Sequence, residues 1–334
     1  MGKTNNKDVV LSLDTIEGKF YIRTYRDGDR ENIISLFKEV FNQDKPVQLW
    51  EWEFIKNPYG TKIMLCEHEK EGIIAQCASI PAPLYVDGNI YRCAQLVDCM
   101  CKKKYRAFAV KKKGLFALTV ESFFDVFTGD KKDVYLYGFP GDRHYRLGRL
   151  LLKYRKIRPA LEGTIHTVKE KKKKLLKLED ITHNIKKHTK TLHNLAYKDA
   201  KIHRICILKE PEYFFWRYVN SYKKYKIFAL KGIFGQIKAI LVISEQHDRL
   251  YLIDVIGIEY LKDILCCLFY EFKKQIITGF PGNSIIQTIL QDIGAHICPI
   301  SIPIIPVGRS FWEGLNWDFA NKNFYYTMGD CDLF

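Results

Sequence analysis

No run of apolar residues in this 334-residue chain approaches the length of a membrane-spanning helix, and its opening residues, MGKTNNKDVV, hold no apolar signal-peptide core. A cytoplasmic protein is the expectation. Among the ten cysteines there is no Cys-x-x-Cys. Cys99 and Cys101, like the adjacent Cys266 and Cys267, lie inside apolar runs, so buried reduced thiols are expected and no metal site. The Met-Gly start lacks the Ser or Thr that myristoylation requires, because the sixth residue is Asn6. Nor does the spacing show a Ser/His/Asp or Cys/His catalytic set or a complete Gly-rich fingerprint.

Acidic residues are also in short supply. Lys and Arg number 53 against 38 Asp and Glu, for a formal charge of +15. Such a surplus favours an anionic partner: a nucleotide cofactor, nucleic acid, phospholipid or acidic glycan. Part of it is local, since Lys169, Lys171, Lys172, Lys173, Lys174 and Lys177 crowd one segment, which reads as a solvated connector and not a nucleic-acid patch. What is present in quantity is ordinary globular material, 47% hydrophobic and 27% charged, at a length where one core has usually split into two.

Residues 19–24 (KFYIRT) read as a strand and ENIISLFKEVF as an amphipathic helix, with Ile33, Leu36, Phe37 and Val40 at helical spacing. LWEWEFIKNPYG then leads to the paired strands KIMLCEHE and GIIAQCASIPAPLYV. Glu51 and Glu53, beside Trp50 and Trp52, read as solvent-facing helix positions. From Ala94 the order is strand (AQLVDCMC), basic loop, helix (LFALTVESFFDVF), strand (DVYLYGFP) and helix (DRHYRLGRLLLKY). Between about 167 and 201 Lys, His and Thr dominate, and the domain boundary is placed there. Two features recur beyond it. Gly138-Phe139-Pro140-Gly141 returns as Gly279-Phe280-Pro281-Gly282, and Trp52 has a counterpart in Trp216. The repeat indicates two related lobes. The second copy is shorter and has no Lys-Lys-Gly loop before its helix. The expected division is therefore residues 1–160 as a first lobe that keeps this loop, 161–202 as a partly helical linker, and 203–334 as a degenerate second lobe.

A helix N-terminus carries unpaired N–H groups and about half a positive charge, so it binds phosphate where a glycine admits the backbone. Gly114 opens a helix after an apolar strand and follows Lys111, Lys112 and Lys113, which fits a pyrophosphate cradle. Asp98 interrupts the apolar strand; a buried carboxylate needs a partner or a function. Simple alternation puts Leu96, Asp98 and Met100 on one face and Val97, Cys99 and Cys101 on the other.

KYRAFAVKKKGLFALTVESFF, followed by YLYGFPGDRHYRLGRLLLKY, resembles the GNAT superfamily of acetyl-CoA-dependent N-acetyltransferases. YIRTYRDGDRENIISLFKEVF looks like that superfamily's first strand and helix, and NFYYTMGDCDLF resembles the end of its tandem-lobed members. The resemblance implies an α+β/α/β fold of two lobes, each with a mixed, mostly antiparallel sheet flanked by helices. It also implies acetyl-CoA as acyl donor, held by Cys99, Met100, Cys101, Lys111, Lys112, Lys113, Gly114 and Leu115. The acceptor would be an amine on a small molecule, amino sugar or peptide, with Asp98 as base and a tyrosine protonating the departing thiolate. The chain departs from the family pattern at Lys111 and Phe116 in the loop. Gly141 stands where the family has Asn, and Gly148 where the tyrosine is expected, leaving Tyr145 or Tyr154 as substitutes. His144 beside Tyr145 reads as a surface residue. Alternative readings are a non-catalytic CoA- or ligand-binding protein of the same fold and an aminoacyl-tRNA-dependent transferase.

Overall fold

The computed structural model of the chain describes residues 8–110, 113–168, 173, 175–282 and 284–333. Lys111 and Lys112, and most of the lysine-rich segment 169–174, lie outside the described residues.

Strands β1 (Val9–Thr15) and β2 (Gly18–Thr24) form a hairpin that leads into helix α1 (Arg30–Phe41). A short helix, Val47–Trp50, continues as a π turn over Glu51–Ile55. Then come β3 (Lys62–His68), β4 (Gly72–Val86) and β5 (Asn89–Cys101), helix α2 (Leu115–Phe127), β6 (Asp133–Gly138) and helix α3 (Asp142–Leu151). Period-two alternation sorts the side chains: Ile63 and Leu65 face α1 and the tryptophan turn, while Met64 and Cys66 face α2. Both faces of this sheet are therefore covered, and β4 is buried along nearly its whole length. Its two prolines sit beyond Ser79, where pairing with β3 has ended. Residues Ile205–Ile207 take over that edge at Leu84–Val86, and the carbonyls of Pro81 and Pro83 accept from Asn57 Nδ2 and the Leu208 N–H.

The second half supplies β7 (Ala160–Ile165), β8 (Lys177–Asp180), α4 (Thr189–His203), β9 (Ile205–Ile207), β10 (Lys226–Lys231), β11 (Ile237–Gln246) and β12 (Arg249–Ile256). These are followed by α5 (Leu261–Phe272), β13 (Gln275–Pro281), α6 (Ile285–Asp292), β14 (His296–Pro299), β15 (Val307–Ser310) and α7 (Trp317–Asn323). The first sheet runs β1-β2-β3-β4-β5-β6-β15 and the second β8-β10-β11-β12-β13-β7-β14. The two lobes thus exchange strands. β7 inserts between β13 and β14 of the second sheet, and β15 returns to pair with β6 of the first. The segment expected as a linker contributes β7, β8 and α4 to the second lobe, with Leu192, Ala196 and Ala200 buried in its core.

Within these mostly antiparallel sheets β5 pairs with β6 in parallel, and β12 with β13. Each parallel ladder is short. It stops at Gln95↔Tyr137 in the first lobe and at Leu252↔Thr278 in the second, although β5 and β12 run on. The strands splay apart beyond those points.

The repeated tryptophans meet where the lobes join. The Trp52 and Trp216 rings stack with centroids 5.1 Å apart and planes 16° apart. Each indole N–H donates to the other's backbone carbonyl at 2.9 Å, giving a local two-fold arrangement. Replacing either tryptophan by alanine should lower unfolding free energy by about 3–5 kcal/mol. A double-mutant cycle by denaturant unfolding should show coupling on the order of 1 kcal/mol; additive losses would disprove a shared role.

Candidate active site

The splay between β5 and β6 opens a cleft of about 150 Å³ beside the start of α3. A β-bulge shapes its wall: the β4–β5 register slips between Gln76 and Ala78, and Asp98 takes a left-handed φ of 47°. That conformation is costly for a non-glycine residue and needs support from around it. Gln76 Nε2 provides some by donating to the Asp98 carbonyl at 3.1 Å. The bulge also corrects the alternation read from the sequence. Val97 and Met100 share the core on the α1 side, whereas Leu96, Cys99 and Cys101 belong to the α2 side. Because the extra residue resets the phase, Leu96, Val97, Asp98 and Cys99 all reach the cleft.

The Asp98 carboxylate accepts a short hydrogen bond from Lys45 Nζ, and the same ammonium lies 2.5 Å from Glu53 Oε2. All three side chains are more than nine-tenths buried. Burial pushes Asp98 upward and Lys45 only partly offsets it; burial pulls Lys45 down, but the two carboxylates outweigh it and hold it above its usual value. One cation facing two carboxyls cannot neutralise both. Burial accordingly raises Glu53 from 4.5 to about 7, the nearby Asp98 adding to the effect against the pull of Lys45. Glu53 is thus a core residue and not the solvent-facing one expected, because the π turn rotates it under the sheet. Glu51 remains at the rim, paired with Arg30 at 2.7 Å.

Of the two substitute tyrosines, Tyr154 lines the cleft and Tyr145 does not. Tyr145 is half-buried on α3, with Lys156 Nζ 5.0 Å from its ring centre. The Tyr154 hydroxyl is buried without a hydrogen-bond partner, and burial holds it well above its ordinary value. Gly148 explains the missing tyrosine of α3: a Cβ there would overlap the Tyr154 ring, which fills the space from outside the helix. His144 also turns inward. Its Nε2 is buried without a partner and burial lowers its pKa, so the ring is neutral at neutral pH.

The expected cofactor residues are placed unevenly. Cys99 lines the cleft, its Sγ 3.8 Å from that of Cys77, while the Met100 and Cys101 side chains are in the core. Lys113 is exposed and paired with Glu121 at 2.8 Å. Gly114 caps α2 with an ordinary φ of −71°, and a Cβ there would meet nothing nearer than the Phe108 carbonyl at 3.9 Å. The backbone at the helix start is therefore uncovered, although the Leu115 N–H is bonded to that same carbonyl at 3.3 Å and its side chain is buried. Phe116 makes an edge contact with His144, 6.3 Å between centroids.

Residues 21–146 match the model of the acetyltransferase (GNAT) domain family. The chain carries a GNAT domain. That places it with acyltransferases in general. No curated protein sequence matches it significantly. Solved structures share the fold at low identity. A conserved protein of unknown function from Enterococcus faecalis is 13% identical with a TM-score of 0.67, covering 88% of this chain and 72% of that one. A GCN5-related N-acetyltransferase from Anabaena variabilis is 11% identical, TM-score 0.66, covering 87% and 73%. The N-myristoyltransferase of Saccharomyces cerevisiae, solved with bound myristoyl-CoA, is 12% identical, TM-score 0.57, covering 97% and 91%.

The second lobe repeats the GNAT frame but closes its cleft. Lys209 stands seven residues before Trp216 as Lys45 does before Trp52, and it pairs with Asp254 of β12 at 2.9 Å and with Asp330. Arg217 occupies the position of Glu53, and its guanidinium donates to the backbone carbonyls of Gly329 and Cys331 at 2.7 and 2.9 Å. The splay of β12 from β13 is filled by the chain's last turns. Tyr325 and Thr327 line a residual space of only about 10 Å³, and a Cβ at Gly279 would lie 2.9 Å from Met328 Cγ. The same segment then crosses to the open GNAT cleft, where Asp332 accepts from Gln95 Nε2 at 2.5 Å. Lys45 and Asp332 were not singled out in the sequence; the equal Lys-to-Trp spacing was the signal available for Lys45.

Between about pH 4.5 and 7 the folded chain keeps a proton on Glu53 that the unfolded chain releases, so this group makes stability fall as pH rises through that window. Glu53→Gln should flatten the stability–pH curve there, gaining on the parent as pH rises. Urea unfolding at stepped pH measures it, and an unchanged slope would sink the assignment.

Proposed function

We propose that the chain is an acyl-CoA-dependent N-acyltransferase that moves an acetyl group from acetyl-CoA to an amine. The observation that carries this reading is the cleft opened by the splay of β5 from β6, where a buried carboxylate, a neutral imidazole and an unbonded phenol share one lining. Amine acylation by a thioester needs one group to take the amine proton and another to protonate the leaving sulfur.

The residues fit an acyl-CoA. Its pantetheine would run along the β5 backbone at Leu96–Cys101, and its pyrophosphate would meet the uncovered backbone at Gly114, with Lys113, Lys111 and Lys112 as the cations of that loop. Bound there, it supplies an activated thioester carbonyl. Asp98 is held in its strained bulge by Lys45 and Gln76, and its carboxylate receives the proton from the amine. His144, neutral and with Nε2 unbonded, is a second acceptor in the same cleft. Tyr154 donates its hydroxyl proton to the sulfur, since burial keeps the phenol protonated. The cleft's volume is that of a benzene-sized group, which suits an acyl chain of a few carbons. The surplus of basic residues supports an anionic donor such as CoA. A small-molecule, amino-sugar or peptide amine fits the acceptor side, and the cytoplasm, where acetyl-CoA is available, is the proposed setting.

Acetyl-CoA should raise the melting temperature of the intact protein, and Lys113→Glu with Gly114→Trp should remove the shift. With a panel of amines, Tyr154→Phe should cut thiol release about ten- to a hundredfold, and Tyr145→Phe less than about twofold. No shift at saturating CoA, or equal losses in the two tyrosine variants, would overturn the assignment. Myristoyl-CoA as a competitor tests chain length; tighter binding than acetyl-CoA would refute a short-chain site.

A further inference from the structure

Helix α3 lines the cleft with His144, but its opposite face has no role in the chemistry proposed above. Between Arg143 and Leu161 the sequence holds seven arginines and lysines and not one acid. Arg143, Arg146 and Arg149 are exposed along the helix, and Lys153, Arg155 and Lys156 are exposed just past its end. The one acid on the helix, Asp142, pairs with Arg146 at 2.6 Å. Among these cations stand two large apolar side chains, Leu147 at 42% and Leu150 at 73% exposure. At about 100° per residue, Arg149, Arg146, Leu150, Arg143 and Leu147 follow one another around a single outward strip.

A strip of this kind, cations interleaved with exposed leucines, is what an interfacial helix presents to anionic headgroups and the acyl boundary beneath them. Charge complementarity requires an anionic partner. The leucines favour one with an apolar layer, which nucleic acid does not offer. The strip is the convex outer face of a helix, whereas a folded acidic protein would need a matching groove. A fluid lipid surface fits such a face without one.

We infer that the α3 face is a peripheral docking surface for an anionic lipid bilayer, one that would hold the mouth of the cleft near the membrane. No helix among the described residues is long and apolar enough to cross a bilayer, so the contact is interfacial. Full-length protein should co-float with phosphatidylcholine vesicles containing about 30% phosphatidylglycerol and not with phosphatidylcholine alone. Raising salt from about 50 to about 300 mM should weaken the interaction. Arg143→Glu with Arg149→Glu should lower partitioning at least about tenfold, and Leu147→Ser with Leu150→Ser several-fold. Lys186→Glu with Lys187→Glu, the same charge change on an exposed turn of the other lobe, should stay within about twofold of the parent. Melting curves confirm that each variant is folded. No binding to the anionic vesicles, or an equal loss in the Lys186/Lys187 control, overturns the proposal. So does binding that the arginine changes abolish and the leucine changes leave intact, since that would mark a polyanion such as RNA and not a lipid surface. None of these readouts depends on acyl transfer.

Discussion

Two indole N–H groups have to be buried at the join of the lobes, and each can be satisfied only by the carbonyl beside the other. Trp52 and Trp216 solve this reciprocally, with their rings stacked between the two π turns. An unpaired buried donor costs its desolvation, so either half of the pair is unfavourable without the other. The arrangement fixes the short helices against one another. From that follow the positions of Lys45 and Lys209, each seven residues upstream, and of the strands whose aspartates they meet. Exchange of β7 and β15 between the sheets then makes the two lobes inseparable.

On this symmetric frame the function is asymmetric. Both lobes splay a parallel strand pair, and both bury a lysine against an aspartate on the splayed strand. The second lobe fills its opening with Tyr325, Thr327 and Met328 and carries Arg217, bonded to the Gly329 and Cys331 carbonyls, at the position of Glu53. The first leaves its opening clear and carries Glu53 where Arg217 would be, so it has one carboxyl more than it can neutralise. Burial and the shared lysine place that carboxyl near neutrality. The unmatched carboxyl lies beside Asp98, which lines the cleft of the first lobe.

The departures of this chain from the GNAT pattern also have local causes. Tyr154 reaches back over Gly148 and occupies the space that a side chain at that position of the helix would need. Phe116, at a position where the chain departs from the family pattern, packs edge-on against His144. The bulge at Asp98 brings four consecutive residues of β5 to one cleft, which no regular strand could do.

Although it took for a linker the segment that supplies β7, β8 and α4, the sequence by itself determined the element order from β2 to α3, the two related lobes, the helix opening at Gly114 and the buried aspartate in an apolar strand. These depend on local periodicity, on turn residues and on an internal repeat, all of which are written along the chain. It misjudged Glu53, and it left Tyr145 and Tyr154 undecided, because a π turn and a bulge each change the phase of side chains without leaving a mark in hydrophobic patterning. The strand exchange, the filling of the second cleft and the charge set of Lys45, Glu53 and Asp98 were decided only by tertiary structure. Each depends on contacts between segments far apart in the chain, and their geometry is fixed only once both sheets and the tryptophan pair are in place.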